Sequence, residues 1–333
     1  MTRLLVTGGM GFIGSNYIHH LVTAQPKVQV VNLDKLSYGS NPANLKDLEG
    51  RGNYRFVKGD ICDAELVEEA TANVEVVVNF AAESHVDRSI ANPQSFLESN
   101  TKGVLTLLES CRKRGIKFLQ VSTDEVYGSA DNGRAFKEQD ALDPSSPYSA
   151  SKAAGEMLVK AYRKTYGLST LITRCTNNFG PFQFPEKFIP KTVILAIQNR
   201  RVPIYGSGRQ VRDWIHVLDH CEALDRVLEK GRLGEVYNIG GGNQIENEHV
   251  VKQILKLLGK PEELIDHVDD RPGHDVRYWL DTSKMRDDLG WTPKRRFEDG
   301  LRETVAWYVK NEAWWQPLLN ERVLSSAPWK SKW

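Results

Sequence analysis

The stretch Thr7-Gly8-Gly9-Met10-Gly11-Phe12-Ile13-Gly14 decides the fold. It contains both Gly9-x-Gly11-x-x-Gly14 and Gly8-x-x-Gly11-x-x-Gly14. It stands between a short apolar run, Arg3–Thr7, and a helical pattern over Phe12–Ala24. In a strand–turn–helix setting the first glycine permits a tight turn, the second lets backbone approach a pyrophosphate, and the third lets helix pack on strand. The helix N-terminus then offers free N–H groups and a positive dipole end to phosphates. Asp34 follows the next apolar run, 28–33, and stands twenty positions beyond Gly14. A carboxylate there hydrogen-bonds ribose hydroxyls and repels a 2′-phosphate, which favours NAD over NADP.

Outward from this turn, strand-like and helix-like segments alternate. Tyr54–Lys58, 74–80, 116–121 and 169–174 read as strands; Ala64–Ala70, 94–114 and 148–166 read as helices. The strands lack polar alternation, so both faces should be buried, and strict β-α-β order predicts a parallel sheet with right-handed crossovers. The fold class is α/β, a Rossmann-like doubly wound parallel sheet with a smaller α/β substrate-binding lobe. Pro181, Pro185, Pro190, Pro203 and the run Gly240-Gly241-Gly242 punctuate the second half. The expected division gives 1–179 to the dinucleotide domain, with 211–240 and 300–318 returning to it. Residues 180–210 and 241–299 form the lobe. Val202–Tyr205 and Val236–Ile239 are expected to rejoin the main sheet.

Composition narrows the function classes. The chain has 333 residues, 40% hydrophobic and 26% charged, with 44 Lys+Arg against 43 Asp+Glu. This excludes disorder and fibrous repeats, and a net charge of +1 demands neither nucleic acid nor an anionic membrane. The basic runs 112–114 and 294–296 suit helix ends or loops. Cys62, Cys111, Cys175 and Cys221 form no CxxC pair and have no metal-ligand spacing, so no metal and a reducing compartment are expected. No apolar run approaches the ~18 residues of a membrane span. The opening from Met1 runs straight into strand and turn, leaving no room for a signal peptide. A cytoplasmic protein is the expectation.

Ligands of open α/β sheets sit beyond the carboxyl ends of the strands. Asp60-Ile61 follows the third strand, and Ala81-Ala82-Glu83-Ser84 follows the fourth. Ser122-Thr123-Asp124-Glu125-Val126-Tyr127-Gly128 follows the fifth. Tyr148 and Lys152, four apart, share one helical face. An ammonium near a phenol favours the phenolate and would draw its pKa from ~10 towards neutrality. Such a phenolate can take a hydroxyl proton while a hydride leaves.

Together these residues resemble the extended short-chain dehydrogenase/reductase family, which acts on nucleotide sugars. The run 122–128 resembles the 4,6-dehydratases of that family. So do Asp34-Lys35-Leu36-Ser37-Tyr38, Ala82-Glu83-Ser84-His85-Val86-Asp87-Arg88-Ser89, Arg174-Cys175-Thr176-Asn177-Asn178-Phe179-Gly180-Pro181, Phe184-Pro185-Glu186-Lys187-Phe188-Ile189-Pro190, Arg271-Pro272-Gly273-His274-Asp275 and Trp314-Trp315-Gln316-Pro317-Leu318. Ser37, Gly39-Ser40, Thr176 and Phe179 depart from the commoner residues, and none touches a proposed proton-transfer group.

The resemblance implies that Gly8, Gly11, Phe12, Ile13, Gly14, Asp34, Lys35, Ser37, Asp60, Ile61, Ala81, Ala82, Ser84, Tyr148, Lys152 and Asn178 hold NAD. It implies catalysis by Thr123, Asp124, Glu125, Tyr148 and Lys152. It implies dTDP-glucose as substrate, contacted by Ser84, His85, Thr123, Asp124, Glu125, Asn178, Lys187, Pro203, Tyr205, Arg212, Asn247, Arg271 and His274. The implied reaction oxidises C4, removes water across C5–C6 and returns hydride to C6. A dehydratase or 4-epimerase acting on another nucleotide sugar, such as UDP-glucose, is the alternative. The family also implies a homodimer through helices 94–114 and 148–166, where Val104, Leu107, Leu108 and Cys111 show the helical spacing. Beyond Leu318 the resemblance is silent; Trp329 and Trp333 are expected to serve surface or interface packing.

Overall fold

The computed structural model describes residues 2–25, 27–130 and 133–330, so Met1 and Trp333 lie outside the described residues. Seven parallel strands form the main sheet. These are β1 (Arg3–Thr7), β2 (Gln29–Asp34), β3 (Tyr54–Lys58), β4 (Val76–Asn79), β5 (Lys117–Thr123), β6 (Thr170–Cys175) and, after three strands elsewhere, β10 (Val236–Ile239). Their order is β10-β6-β5-β4-β1-β2-β3. Chain order reverses between β1 and β4, and this switch point opens a crevice at the carboxyl ends.

Period-two alternation divides the strand residues between two cores. Leu4, Val6, Val78, Leu119 and Val121 pack on one face with helices Phe12–Ala24 and Val217–Lys230. Leu5, Val77 and Phe118 pack on the other, against Val67, Val104, Leu107, Leu108, Cys111, Val159 and Tyr162. The apolar stripe expected at a dimer surface thus covers the sheet. The large apolar residues exposed on the helices at 94–114 and 147–166 are Leu97, Leu105, Met157 and Tyr166.

The expected helix 94–114 is one helical run interrupted by a π-turn, Glu98–Lys102, and closed by left-handed Gly115. Such bulges mark helices bent to serve a neighbour. Here the neighbour is the loop after β4. The Asn100 amide accepts from Glu83 N (2.9 Å), donates to Glu83 O (3.0 Å), and donates to Ser151 Oγ (2.9 Å).

Five further strands lie outside the main sheet. β9 (Val211–His216) sits between β7 (Asn177–Phe179) and β11 (Gln244–Glu246), and β8 (Val202–Tyr205) pairs in parallel with β12 (Ile265–Val268). Val236–Ile239 rejoins the main sheet as expected, but Val202–Tyr205 does not. With β10 already on the outer edge of β6, β8 instead buries Val202 and Ile204 against Leu195, Val251 and Leu255. Helix Phe297–Lys310 also packs into the lobe. Its Phe297, Leu301, Val305 and Tyr308 meet Phe179, Ile189, Trp214 and Val250.

Candidate active site

One cavity occupies the crevice. Gly8, Gly11, Phe12, Ile13, Gly14, Asp34, Lys35, Ser37, Asp60, Ile61, Ala81, Ala82, Ser84, His85, Thr123, Asp124, Glu125, Tyr148, Lys152, Asn178 and Lys187 all line it. The glycine turn is a backbone cradle that a side chain would fill. Gly8 has φ +69° and lies so close to Ala81 that a Cβ would fall 2.6 Å from Ala81 N; a Cβ on Gly14 would fall 2.4 Å from Gly8 O. Helix Phe12–Ala24 begins at Gly11 with no side-chain cap, so its N-terminal donors face the cavity with no competing side chain. This geometry fits a dinucleotide pyrophosphate.

Asp34 is buried, and it already accepts from Met10 N (2.9 Å), Leu36 N (2.8 Å) and Ser40 Oγ (3.0 Å). A carboxylate offers about four acceptor positions, leaving one for a ribose hydroxyl. Burial pushes its pKa up, opposed by these hydrogen bonds. Lys35 Nζ reaches Ser99 Oγ at 3.0 Å and Asp60 Oδ2 at 3.5 Å, tying the second and third strand ends to the π-turn.

Opposite the glycines, β5 ends at Thr123 and turns through a short 3-10 segment, Asp124–Tyr127. Thr123 Oγ1 caps that turn, accepting from Glu125 N (3.3 Å), and donates to Asp124 Oδ1 (3.2 Å). A buried anchor holds the turn from behind. Arg174 and Glu156, both wholly buried, form a two-oxygen ion pair, and Arg174 Nη1 donates to Tyr127 Oη at 2.6 Å. Helix Pro147–Tyr166 starts in a capping box on Ser146 and Ser149 with Pro147 in its first turn. Ser89 Oγ accepts from Tyr148 N (3.1 Å), and Phe96 packs edge-on against the Tyr148 ring at 6.3 Å.

The acid–base groups are strongly perturbed. Burial, then the Glu125 charge, raises the Asp124 carboxyl well above the carboxylate range; Asp124 Oδ2 is buried with no hydrogen-bond partner. Burial also raises Glu125, against the pull of Arg271 and Arg212. Carboxyls raised by burial and like charge remain protonated above their usual range. Lys152 is pushed down to about 8 by burial, and its Nζ donates to Val121 O at 2.7 Å. The expected drop in the Tyr148 pKa is not met in the chain alone. Burial and then the Glu125 charge push this phenol well up, while Lys152 turns to the β5 backbone.

Pro203, Tyr205, Arg212, Asn247, Arg271 and His274 do not line this cavity. Three of them, Tyr205, Arg271 and Arg212, are tied instead to Asp87 and to the Tyr278–Glu125 pair. Tyr205 Oη donates to Asp87 Oδ2 (2.9 Å) and Arg271 Nη1 to Asp87 Oδ1 (2.8 Å). Arg212 stacks over Tyr278 at 4.1 Å, and Tyr278 Oη reaches Glu125 Oε2 at 3.3 Å. His274 Nδ1 lies 2.6 Å from Asp270 Oδ1, and the Asn247 backbone N–H donates to Gln210 O. Pro203 pairs with Asp266 along β8 and β12.

The structure adds residues that sequence reasoning passed over. Tyr38 Oη donates to Glu186 Oε2 at 2.6 Å, joining the loop after β2 to the loop before helix Phe188–Ile197. Asp87, Tyr38 and Glu186 lay inside quoted family runs; Tyr278 lay in none and had no signal. Among the described residues no cluster of His, Cys, Asp and Glu is arranged to hold a metal ion.

Known proteins resemble this chain along nearly its whole length. A family model described as GDP-mannose 4,6 dehydratase matches residues 5–304. A dTDP-glucose 4,6-dehydratase of Streptomyces niveus is 47% identical over 331 residues, covering 98% of each chain. The chain belongs to the dTDP-glucose 4,6-dehydratase family. Two solved members superpose closely. The Bacillus anthracis enzyme in complex with NAD is 49% identical with a TM-score of 0.91. DesIV of Streptomyces venezuelae, with NAD and a second ligand bound, is 46% identical with a TM-score of 0.93. Each comparison covers 96% of this chain and 100% of the other. Within the dTDP-glucose 4,6-dehydratase family, the parallel sheet and switch-point crevice are thus the shared frame.

Proposed function

We propose that this chain is an NAD-dependent hydro-lyase that converts dTDP-glucose to dTDP-4-keto-6-deoxy-D-glucose and water. One observation carries the reading: Tyr148, Lys152, Asp124 and Glu125, from two stretches of chain, line the same cavity as the glycine turn. NAD, when bound, would supply the hydride acceptor for C4 and the hydride donor for C6. Tyr148 takes the C4 hydroxyl proton, and Lys152, bonded to Val121 O, holds the start of its helix against β5. The resulting C4 ketone acidifies C5–H. Glu125 removes that proton, and protonated Asp124 gives its own to the C6 hydroxyl, which departs as water. Glu125 then returns a proton to C5. Thr123 bonds Asp124 Oδ1 and also pulls on the Tyr148 phenol through a hydrogen bond, so it offers a path for the C4 proton to reset Asp124.

Gly8, Gly11, Gly14, Asp34 and the strand-end loops are assigned to NAD. Asn178, Lys187, Arg212 and Arg271 are assigned to the diphosphate, where fork-shaped guanidinium donors suit phosphate oxygens. Tyr205 and Pro203 are assigned to the base. The chain divides into a dinucleotide domain and a nucleotide-sugar lobe on this reading. Exposed Leu97, Leu105, Met157 and Tyr166 support a homodimer through the helices at 94–114 and 147–166, measurable by light scattering. Free Cys62, Cys111, Cys175 and Cys221 support a reducing, cytoplasmic setting.

The test is dTDP-glucose carrying deuterium at C4. Deuterium recovered at C6 of a 4-keto-6-deoxy product supports the reading. Label retained at C4 or lost to solvent, or an epimer as product, refutes it.

A further inference from the structure

We infer that the segment 320–330, and Trp329 in particular, positions the base end of the substrate site. This rests on the assignment of Tyr205 and Arg271 to the nucleotide. The segment lies against three elements, each of which carries part of that end. Trp329 meets Tyr205 edge-on, ring centroids 4.8 Å apart at 81°. Tyr205 also meets His274 at 6.2 Å and 72°, so its ring has two aromatic neighbours. Lys330 Nζ pairs with Asp269 Oδ2 at 2.8 Å, at the start of the loop that carries Asp270, Arg271 and His274. The turn Pro328–Lys330 packs on helix Val86–Ala91, which carries Asp87, the acceptor for both Tyr205 and Arg271.

The segment is anchored well before Trp329. Val323 is fully buried, Leu324 packs against both lobe cores, and Pro328 is buried. The Lys191 ammonium, itself buried, donates to the Ser325 carbonyl. Lys191 is also electrostatically tied to Asp87 and Glu186, so the strap and the Asp87 carboxylate share one cation. The exposed Lys330–Asp269 pair contributes little by itself. The aromatic contact is the stronger element, because edge-to-face pairs add to their buried area.

The consequence is specific. Loss of the Trp329 ring frees Tyr205 to rotate away from the base, while the Asp124–Glu125 turn and the glycine cradle, held by other elements, stay in place. Trp329 therefore acts as a positioning residue for binding and not for chemistry.

The experiment compares Trp329→Ala and Trp329→Phe with the parent chain. Trp329→Ala should raise KM for dTDP-glucose and the inhibition constant of dTDP together, by about 3- to 10-fold, the range of an aromatic pair. It should leave kcat within about twofold and NAD affinity unchanged, and Trp329→Phe should recover most of the loss. An inhibition constant for inorganic pyrophosphate that stays fixed would place the effect at the base. KM and dTDP inhibition unchanged in Trp329→Ala, or kcat falling as far as KM rises, overturns the proposal. A parent chain that releases no water from dTDP-glucose fails the functional reading instead, and that result is visible before any variant is made.

Discussion

The two ends of the crevice are built differently. The cofactor end is made mostly of backbone: eight consecutive residues supply turn, close approach and helix N-terminus, and a Cβ on Gly8 or Gly14 has no room. At the end assigned to the sugar nucleotide, Glu125 lines the cavity, while Asp87, Tyr205, Arg212, Arg271 and Tyr278 form side-chain contacts outside its lining, from positions up to 191 residues apart in the chain. A backbone-built site is local in sequence and tolerates almost no added atom. A side-chain-built site is assembled by tertiary packing, so its members can be lost singly at graded cost.

The largest contrast is between losing a proton-transfer group and losing the cradle. Glu125→Gln should lower turnover by about 10²–10⁴-fold, the usual scale for a general base. C4 oxidation should survive, so reduced-cofactor absorbance should build up on the variant when substrate is added. Parental turnover in that variant removes Glu125 from the chemistry. Its neighbour carries the pH dependence. Asp124 acts in its protonated form on this reading, and burial together with the Glu125 charge raises its pKa in that favour. Activity should fall as pH climbs through that pKa, and the residual activity of Asp124→Asn should lack this alkaline limb.

Gly14→Ala should act on the other end alone. The new Cβ would lie 2.4 Å from Gly8 O and 2.8 Å from Gly9 Cα, both backbone atoms that cannot swing aside. NAD affinity should weaken by about 100-fold or more, equivalent to ~2.7 kcal/mol. Titration with NAD checks this, with a melting curve to report the strain in the turn itself; parental affinity would mean the pyrophosphate lies elsewhere.

This asymmetry explains what could be read from the chain. Helices Phe12–Ala24 and Ala64–Ala70 and strand Tyr54–Lys58 match their apolar periodicity to the residue, and every dinucleotide candidate lines the cavity. Local pattern sufficed because local backbone does the work. Pattern failed where partners are distant. The strand signal of Val202–Tyr205 was sound, but nothing in those four residues tells whether they pair with the main sheet or with Ile265–Val268. The Tyr148–Lys152 spacing was correct too. It could not foresee that Lys152 turns to Val121 O or that Glu125 and burial would govern the phenol. The π-turn at Glu98–Lys102 had no signal, because Asn100 earns its place through Glu83 and Ser151, seventeen and fifty-one residues away.

A smaller effect should come from the sugar-nucleotide end. Arg271→Lys keeps the charge but loses the planar guanidinium whose Nη1 bonds Asp87. KM for dTDP-glucose should rise by about 10-fold with NAD affinity unmoved, the scale of a charge-assisted hydrogen bond. An equal loss of NAD affinity would mean the two ends are not separable.

The smallest effect should lie outside both ends and test whether the frame is independent of them. On helix Phe12–Ala24, behind the glycine turn, His20 Nε2 lies 2.7 Å from Asp225 Oδ2, which also accepts from Gln25; Tyr17 donates to Asp225 Oδ1. The hydrogen bond to Asp225 raises the His20 pKa above its ordinary value, against the opposing effect of burial. A histidine raised on folding stabilises the protein fully below its unfolded pKa of about 6.5, and that gain fades as pH rises through the folded pKa. His20→Gln should therefore cost stability at pH 5.5, by about 1 kcal/mol for this partly exposed pair, and nearly nothing of that charge-dependent part at pH 9. Urea titrations of parent and variant at both pH values measure the difference. A penalty that does not change with pH would show that Tyr17 and Gln25 hold Asp225 without help from the histidine's charge. A change in NAD affinity alongside it would show that the frame and the cradle are coupled through helix Phe12–Ala24.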